Sequence, residues 1–282
     1  MVSASVVVSF GTRRGANAEI NQDAIGVNGW VLHSDSPASF PPWGGRELAL
    51  QVDEGPLVLV VADGIGGIPE SHTASLVVAE AASRPVVAGS PEALREALNA
   101  AHERILAIGR DRPAAHGIGS TVVGLMVGND GTLVRFNVGD SRFYYTSLDS
   151  LVLGSRDDRE QVAFSTRRRL SAWLGQPEAS AGMQPYVQVM TAVGERRVLL
   201  CSDGLSESVD ELTMQGIVRD PRLGPAGVVQ RLLEAAGEFP EDDVTVVVAH
   251  VSVRSAQARE VPPLPPEPER WWALGKQRRQ RS

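Results

Sequence analysis

The fold of this chain follows from the stretch LVLVVADGIGG, residues 57–67. Its six consecutive apolar residues predict a β-strand that is buried on both faces. Asp63 is predicted to end this strand, and an unpaired carboxylate there would be costly to bury. The glycines that follow allow a tight turn. A strand that delivers a carboxylate into a glycine turn favours a site for a hard cation or a phosphate, and an aspartate that only caps the turn is the simpler alternative.

Composition limits the classes of function. With 43% hydrophobic and 22% charged residues, the 282-residue chain has the balance of an ordinary globular protein. Its formal net charge of −7 argues against a nucleic-acid partner. The single cysteine, Cys201, excludes disulfides within the chain and cysteine-based zinc sites, and its apolar surroundings predict a buried, unreactive thiol. Since no apolar run is long enough to cross a bilayer, we expect a cytoplasmic protein without stable membrane insertion.

Aspartates recur at the ends of predicted strands. Asp140 follows the predicted strand 132–138, and Asp203 follows the predicted strand 197–201. Asp23 and Asp242 precede apolar runs instead. Each of them alone is a common turn residue. Together with Asp63 they form a repeated pattern, which predicts that strand ends converge on one acidic site.

The remaining pattern indicates an α+β fold. Many strands, hairpin signals and few crossover helices predict two stacked antiparallel sheets with amphipathic helices outside. The clearest helix begins after Ser90, with Pro91 in its first turn. Its apolar stripe predicts core packing, and His102, which lies off that stripe, is predicted to be solvated. The stripe consists of Leu94, Ala97, Leu98, Ala101, Ile105 and Ile108.

Converging carboxylates repel one another unless cations neutralise them. Ligation by oxygen alone favours Mg²⁺ or Mn²⁺ over zinc, which prefers histidine or cysteine. Two such ions about 3.5–4 Å apart can activate a water for in-line attack on phosphorus. Hydrolysis of a phosphate monoester is the reaction that most needs this help.

Five segments, in order along the chain, resemble the motif series of the protein phosphatase 2C family, the metal-dependent Ser/Thr protein phosphatases: DGIGG, GST, NVGDSRFYY, CSDGL and DDVTVVV. The resemblance spans residues 5–253 and implies an α-β-β-α sandwich. It also implies hydrolysis of phosphoserine and phosphothreonine by a water that two Mn²⁺ or Mg²⁺ ions activate.

The same resemblance assigns ligands by position. Asp63 would bridge the two ions, with the backbone carbonyl of Gly64 on one of them. Asp203 and Asp242 would ligate the other ion, and Asp242 is preferred over Asp243.

The other two acids have different roles in this assignment. Asp23 would act mainly through metal-bound water. Asp140, with Asp203, would hold a third, looser ion of the kind found in bacterial members. The predicted catalytic residues are Asp23, Asp63, Asp203 and Asp242.

The resemblance also sets expectations for organisation and partners. We expect a monomeric catalytic domain over residues 1–254, followed over 255–282 by a disordered Pro-rich linker and basic tail with paired tryptophans. The implied partner is a phosphorylated protein, the product of a bacterial Ser/Thr kinase.

Three departures from the family pattern bear on activity. Ala18 stands where the family has an arginine that grips the substrate phosphate, and Arg13 and Arg14 are out of register with that position. Ile65 replaces a histidine found in many eukaryotic members. The segment 148–185 is short and weakly patterned, which predicts a reduced flap beside the site.

Two hypotheses follow: an active phosphoprotein phosphatase, and a non-catalytic binding or regulatory protein that retains the metal site.

Overall fold

The computed structural model describes residues 2–33, 46–52, 55–68, 70–84, 90–161, 168–177, 184–191 and 194–255. The predicted linker and tail beyond Ser255 lie outside these residues. The strands are β1 Val2–Arg13, β2 Asp23–Val27, β3 Trp30–Leu32, β4 Leu48–Gln51, β5 Leu57–Ile65, β6 Gly119–Ser120, β7 Val122–Val127, β8 Thr132–Val138, β9 Arg142–Thr146, β10 Leu151–Leu153, β11 Arg159–Gln161, β12 Arg168–Leu170, β13 Tyr186–Thr191, β14 Gly194–Cys201 and β15 Val244–Ser255. The helices are α1 Ser71–Ser83, α2 Pro91–Asp111, α3 Asp203–Ser208, α4 Glu211–Val218 and α5 Pro225–Ala235.

Two antiparallel sheets stack face to face, which confirms the predicted α-β-β-α sandwich. One sheet has the strand order β10-β9-β14-β15-β1-β4, and the other has the order β13-β8-β7-β5-β2-β3, with β6 beside β5. One apolar cluster fills the space between the sheets. Helices α1 and α2 cover the outer face of the second sheet, and α3, α4 and α5 cover the outer face of the first.

The apolar stretch that begins at Leu57 forms β5, and it is buried on both faces as predicted. Odd-numbered residues from Leu57 to Val61 join the inter-sheet core, and even-numbered residues from Val58 to Ala62 pack under the helices. Side chains alternate between the faces of a strand. Asp63 therefore continues the inter-sheet series, and it stands where the apolar core between the sheets ends.

Strands β1 and β15 pair over twelve residues, from Val2 opposite Ser255 to Arg13 opposite Val244. This register brings the segment after β1 beside the segment before β15. The acids of the C-terminal region therefore meet the N-terminal region at the same end of the sandwich as Asp63.

Helix α2 begins as predicted, because the Ser90 hydroxyl accepts a hydrogen bond from the amide of Ala93 at 3.1 Å. The prediction that His102 is solvated is wrong. His102 is 3% exposed, and its Nδ1 accepts a hydrogen bond from the amide of Gly175 at 3.0 Å. The segment after β12 covers this side of the helix, and the weak pattern of that segment gave no sign of it. His102 thus fixes the chain that follows β12.

Burial lowers the pKa of His102 in the folded protein. The unfolded chain takes up a proton near the ordinary pKa of about 6.5, whereas the folded protein holds the ring neutral to lower pH. The stability that His102 contributes is therefore complete above pH 6.5 and decreases as the pH falls below it. We expect the difference in free energy of unfolding between the wild type and His102→Gln to shrink by about 1 kcal/mol between pH 7.5 and 5.5.

Urea denaturation at the two pH values measures this difference. The matched control is His116→Gln, because His116 is exposed. Its difference from the wild type should be the same at both pH values. A difference for His102→Gln that does not depend on pH would contradict the prediction.

Candidate functional site

A cavity of about 770 Å³ opens at the polar end of the inter-sheet core. Its lining includes four of the predicted aspartates together with Gly64: Asp63, Asp140, Asp203 and Asp242. Eight acidic side chains line the cavity in the described part of the chain, and Arg159 is the one basic side chain among the lining residues. The predicted acids therefore converge, and they converge in a strongly negative space.

Asp63 lies within β5 and not at its end, because the strand continues through Ile65 by pairing with β6. The turn comes after it, at Gly66 and Gly67, whose φ angles are +141° and +63°. Gly64 is required for a different reason. A Cβ at this position would lie 2.7 Å from the carbonyl oxygen of Ser71 and 2.8 Å from that of Gln22. The close approach of the segments that contain Gln22, Gly64 and Ser71 holds Asp63 at the cavity wall.

Asp23 lies behind the cavity wall, opposite Asp63 in the β2–β5 register. It is 2% exposed, and its Oδ2 accepts a hydrogen bond from the Ser202 hydroxyl at 2.8 Å. Its Oδ1 is buried without a hydrogen-bond partner among the described residues. Burial raises the pKa of Asp23 well above its ordinary value; the Thr245 side chain opposes this effect, and the neighbouring charge of Asp243 adds to it.

The pKa of Asp63 is affected by the other acids around it. Burial raises this pKa well above its ordinary value, and the charges of the other four predicted acids raise it further. Like charges this close favour either protonation or a bound cation. The contributors, in decreasing order, are Asp23, Asp203, Asp242 and Asp140.

Asp203 is the first residue of the short helix α3. Burial raises its pKa to about 7, and repulsion from Asp140 and Asp242 adds to the effect. Its Oδ1 is buried and has no hydrogen-bond partner in the described part of the chain. A buried carboxylate oxygen without a partner is costly, and a cation would satisfy it.

The two neighbouring acids before β15 differ in their contacts. Both carboxylate oxygens of Asp243 accept backbone hydrogen bonds, from Gly15 at 2.7 Å and from Gln22 at 2.6 Å. Asp243 thus joins the N-terminal segment to the start of β15. Asp242 lines the cavity, with Oδ1 accepting from the amide of Asp243 at 2.8 Å. These contacts favour Asp242 as the ligand and give Asp243 a structural role.

Ala18 lines the cavity, and neither nearby arginine replaces the missing guanidinium. Arg13 donates to the carbonyl oxygens of Leu233, at 2.8 Å, and of Gly237. Arg14 donates to the carbonyl of Glu19 at 2.8 Å. Arg13 thus binds the C-terminal end of α5 and Arg14 binds a loop, and neither belongs to the cavity lining.

Sequence reasoning missed Arg159. It opens β11, in the weakly patterned region 148–185, and its guanidinium donates to Asp140 at 2.5 Å and to Asp203 at 2.9 Å. Burial lowers the pKa of Arg159, but Asp140 and Glu207 outweigh burial and raise it above its ordinary value. No local motif marks this residue, since its position depends on how β11 is placed over the ends of distant strands.

The donor set suits a hard divalent cation, because carboxylate oxygens dominate it. Two of these oxygens, Asp23 Oδ1 and Asp203 Oδ1, are buried without a hydrogen-bond partner in the part of the chain that the structure describes. Within the described residues, no three His, Cys, Asp or Glu side chains already stand in the arrangement of a preformed metal site. The acids share one cavity and would have to close around an ion.

Cys201 is buried as predicted, and burial raises the pKa of its thiol to about 12. A thiol with such a pKa is not a nucleophile at neutral pH.

None of the helices in the described ranges is long and apolar enough to span a membrane.

Comparison with known proteins identifies the sequence relationship. The family model for protein phosphatase 2C matches residues 47–232. The serine/threonine protein phosphatase PstP of Mycobacterium tuberculosis is 31% identical over 214 residues, which cover 70% of this chain and 41% of PstP. The match therefore spans about two fifths of the length of that curated relative.

Solved structures agree with the fold. The catalytic domain of PstP in complex with two manganese ions superposes with a TM-score of 0.65 and 25% identity, over 88% of this chain and 99% of that one. PppA of Pseudomonas aeruginosa, a regulatory component of a type VI secretion system, superposes with a TM-score of 0.67 and 22% identity, over 90% of this chain and 100% of that one. At 22% identity the second likeness supports the fold alone.

The support beneath the cavity can be tested at Ser202. Its hydroxyl donates to Asp23 and accepts from the amide of Thr245 at 2.9 Å. Ser202→Ala leaves both buried groups unpaired, so we expect it to lower the free energy of unfolding by about 2 kcal/mol in urea denaturation. The control, Ser252→Ala on β15, should change it by less than about 0.5 kcal/mol. Equal stability of Ser202→Ala and the wild type would refute this role.

Proposed function

Because the chain belongs to the protein phosphatase 2C family, we propose that it hydrolyses phosphoserine and phosphothreonine in proteins with the aid of Mn²⁺ or Mg²⁺. The observation that carries the proposal is the convergence of Asp63, Asp140, Asp203 and Asp242 on one cavity. Gathering these carboxylates costs free energy through their repulsion, and the fold itself does not require it.

The proposed cation ligands are Asp63, the carbonyl of Gly64, Asp203 and Asp242, with Asp23 behind them. Two divalent ions would supply an activated water and neutralise charge on the phosphoryl group. The chain itself positions these ligands. Gly64 permits the close contact with α1, Ser202 orients Asp23, and the backbone amides that bind Asp243 fix the chain beside Asp242.

The alternative, a non-catalytic phosphatase-like binding or regulatory protein, has one specific observation in its favour. Ala18 lines the cavity where the family has its phosphate-binding arginine, and Arg13 and Arg14 are engaged elsewhere. A guanidinium holds phosphate through two parallel hydrogen bonds, and an alanine supplies none. Arg159 is the one basic side chain in the cavity lining among the described residues, so it is the candidate for this role.

Further parts of the proposal rest on the sequence. These are a phosphoprotein made by a bacterial Ser/Thr kinase as substrate, a cytoplasmic location and a monomeric state. The domain division at 254/255 is proposed on the same basis.

Hydrolysis of p-nitrophenyl phosphate and of a phosphothreonine peptide, with added Mn²⁺, tests the proposal. We expect turnover by the wild type and loss of turnover in EDTA. Asp63→Asn removes a central anionic ligand, so we expect kcat to fall by about 100-fold or more. The matched control is Asp111→Asn, because Asp111 is exposed at the end of α2.

Binding of Mn²⁺ without turnover, over a range of pH values and metals, would overturn the catalytic proposal in favour of the binding protein. Failure to bind Mn²⁺ at all would overturn both. Equal activity of Asp63→Asn and the wild type would remove Asp63 from the site.

A further inference from the structure

Arg159 places a positive charge among three carboxylates of the cavity. Its Nε lies 2.5 Å from Asp140 Oδ2, its Nη2 lies 2.9 Å from Asp203 Oδ2, and its Nη1 lies 2.7 Å from Glu207 Oε1. All three nitrogens of the guanidinium therefore contact carboxylates. No other basic side chain lines the cavity in the described part of the chain.

The contacts with Asp140 and Asp203 are shielded from water, whereas the side chain of Glu207 is 58% exposed. The side chain of Arg159 is 19% exposed, that of Asp140 is 7% exposed and that of Asp203 is 19% exposed. Arg169 and Glu160 form a second ion pair between β11 and β12, and their side chains are 73% and 49% exposed. Buried pairs are screened much less than exposed ones. Arg159 therefore interacts more strongly with Asp140 and Asp203 than Arg169 does with Glu160.

The two oxygens of Asp203 have different surroundings. Its Oδ2 accepts a hydrogen bond from Arg159, whereas its Oδ1 is buried and has no hydrogen-bond partner among the described residues. Asp203 can thus serve the guanidinium on one side and a divalent ion on the other. Asp140 also gives one oxygen to the guanidinium, because its Oδ2 accepts a hydrogen bond from Nε of Arg159.

We propose that Arg159 is a built-in cation that closes the Asp140–Asp203 pair to divalent ions. A divalent ion held by both acids would have to compete with the guanidinium for Asp140 Oδ2 and Asp203 Oδ2. It would also be repelled by a charge that persists at every physiological pH. The site then holds its divalent ions toward Asp63 and Asp242, and a group of the protein neutralises the remaining acids. This inference rests on the cation chemistry of the proposed function.

Titration with Mn²⁺ tests the proposal directly. Electron paramagnetic resonance reports the free Mn²⁺, and isothermal titration calorimetry gives the number of ions bound per chain. We expect Arg159→Ala to bind one more Mn²⁺ per chain than the wild type does. In the double variant Arg159→Ala, Asp140→Asn, this additional ion should be lost.

Arg169→Ala is the matched control, since it removes an arginine from the paired strand without touching the cavity acids. It should bind as many ions as the wild type. Circular dichroism checks that each variant is folded. If Arg159→Ala does not fold, Arg159→Gln, which is shorter than arginine but keeps part of the aliphatic stem and an N–H donor without the charge, should show the same gain of one ion.

Three results would overturn the proposal. The first is an unchanged number of ions in folded Arg159→Ala or Arg159→Gln. The second is an additional ion that persists after Asp140→Asn, because that ion would bind elsewhere. The third is no binding by any form, which also overturns the cation chemistry of the proposed function. The first two leave the proposed function intact, provided that the wild type binds Mn²⁺ and turns over substrate.

Discussion

Repulsion among carboxylates at the polar end of the inter-sheet core is the constraint on which this structure depends. Asp23 and Asp63 face each other across paired strands, and Asp203 and Asp242 are close enough to raise the pKa of Asp63. Such an arrangement destabilises a fold unless other contacts offset it. The surrounding structure can be understood as a set of those contacts.

The offsets differ in kind. A hydroxyl donates to Asp23, two backbone amides bind Asp243, and a guanidinium bridges Asp140 and Asp203. Each donor stabilises the negative charge of a carboxylate and also fixes the position of that carboxylate, because hydrogen bonds are directional. The partners come from segments far apart in sequence, so the charges at the site and the closure of the sandwich support each other.

Local pattern predicted the parts of the molecule that depend on short-range chemistry. The continuous apolar run of β5, the serine cap of α2 and the convergence of strand-end aspartates were all readable, because burial and capping impose fixed residue types at fixed spacings. The two-sheet architecture followed from those elements. The prediction that Asp63 ends its strand was wrong by two residues, because pairing with β6 extends β5 through Ile65.

Contacts between distant segments were not predictable in this way. Arg159 and His102 have ordinary neighbours in sequence, and their roles come from the placement of β11 and of the segment after β12. The choice between Asp242 and Asp243 likewise depends on which of them meets the backbone near Gly15. No periodicity encodes such meetings, since they are set by how separate elements pack.

The position of β15 has a consequence for the order of assembly during synthesis. It lies in the middle of its sheet, between β14 and β1, and β1 pairs with it along twelve residues. A nascent chain emerging from the ribosome carries β1 without its long partner until more than two hundred further residues have been made. Pairings across such sequence distances form slowly. Strand β1 must therefore stay unpaired along that edge, and free of wrong partners, until the last described strand arrives.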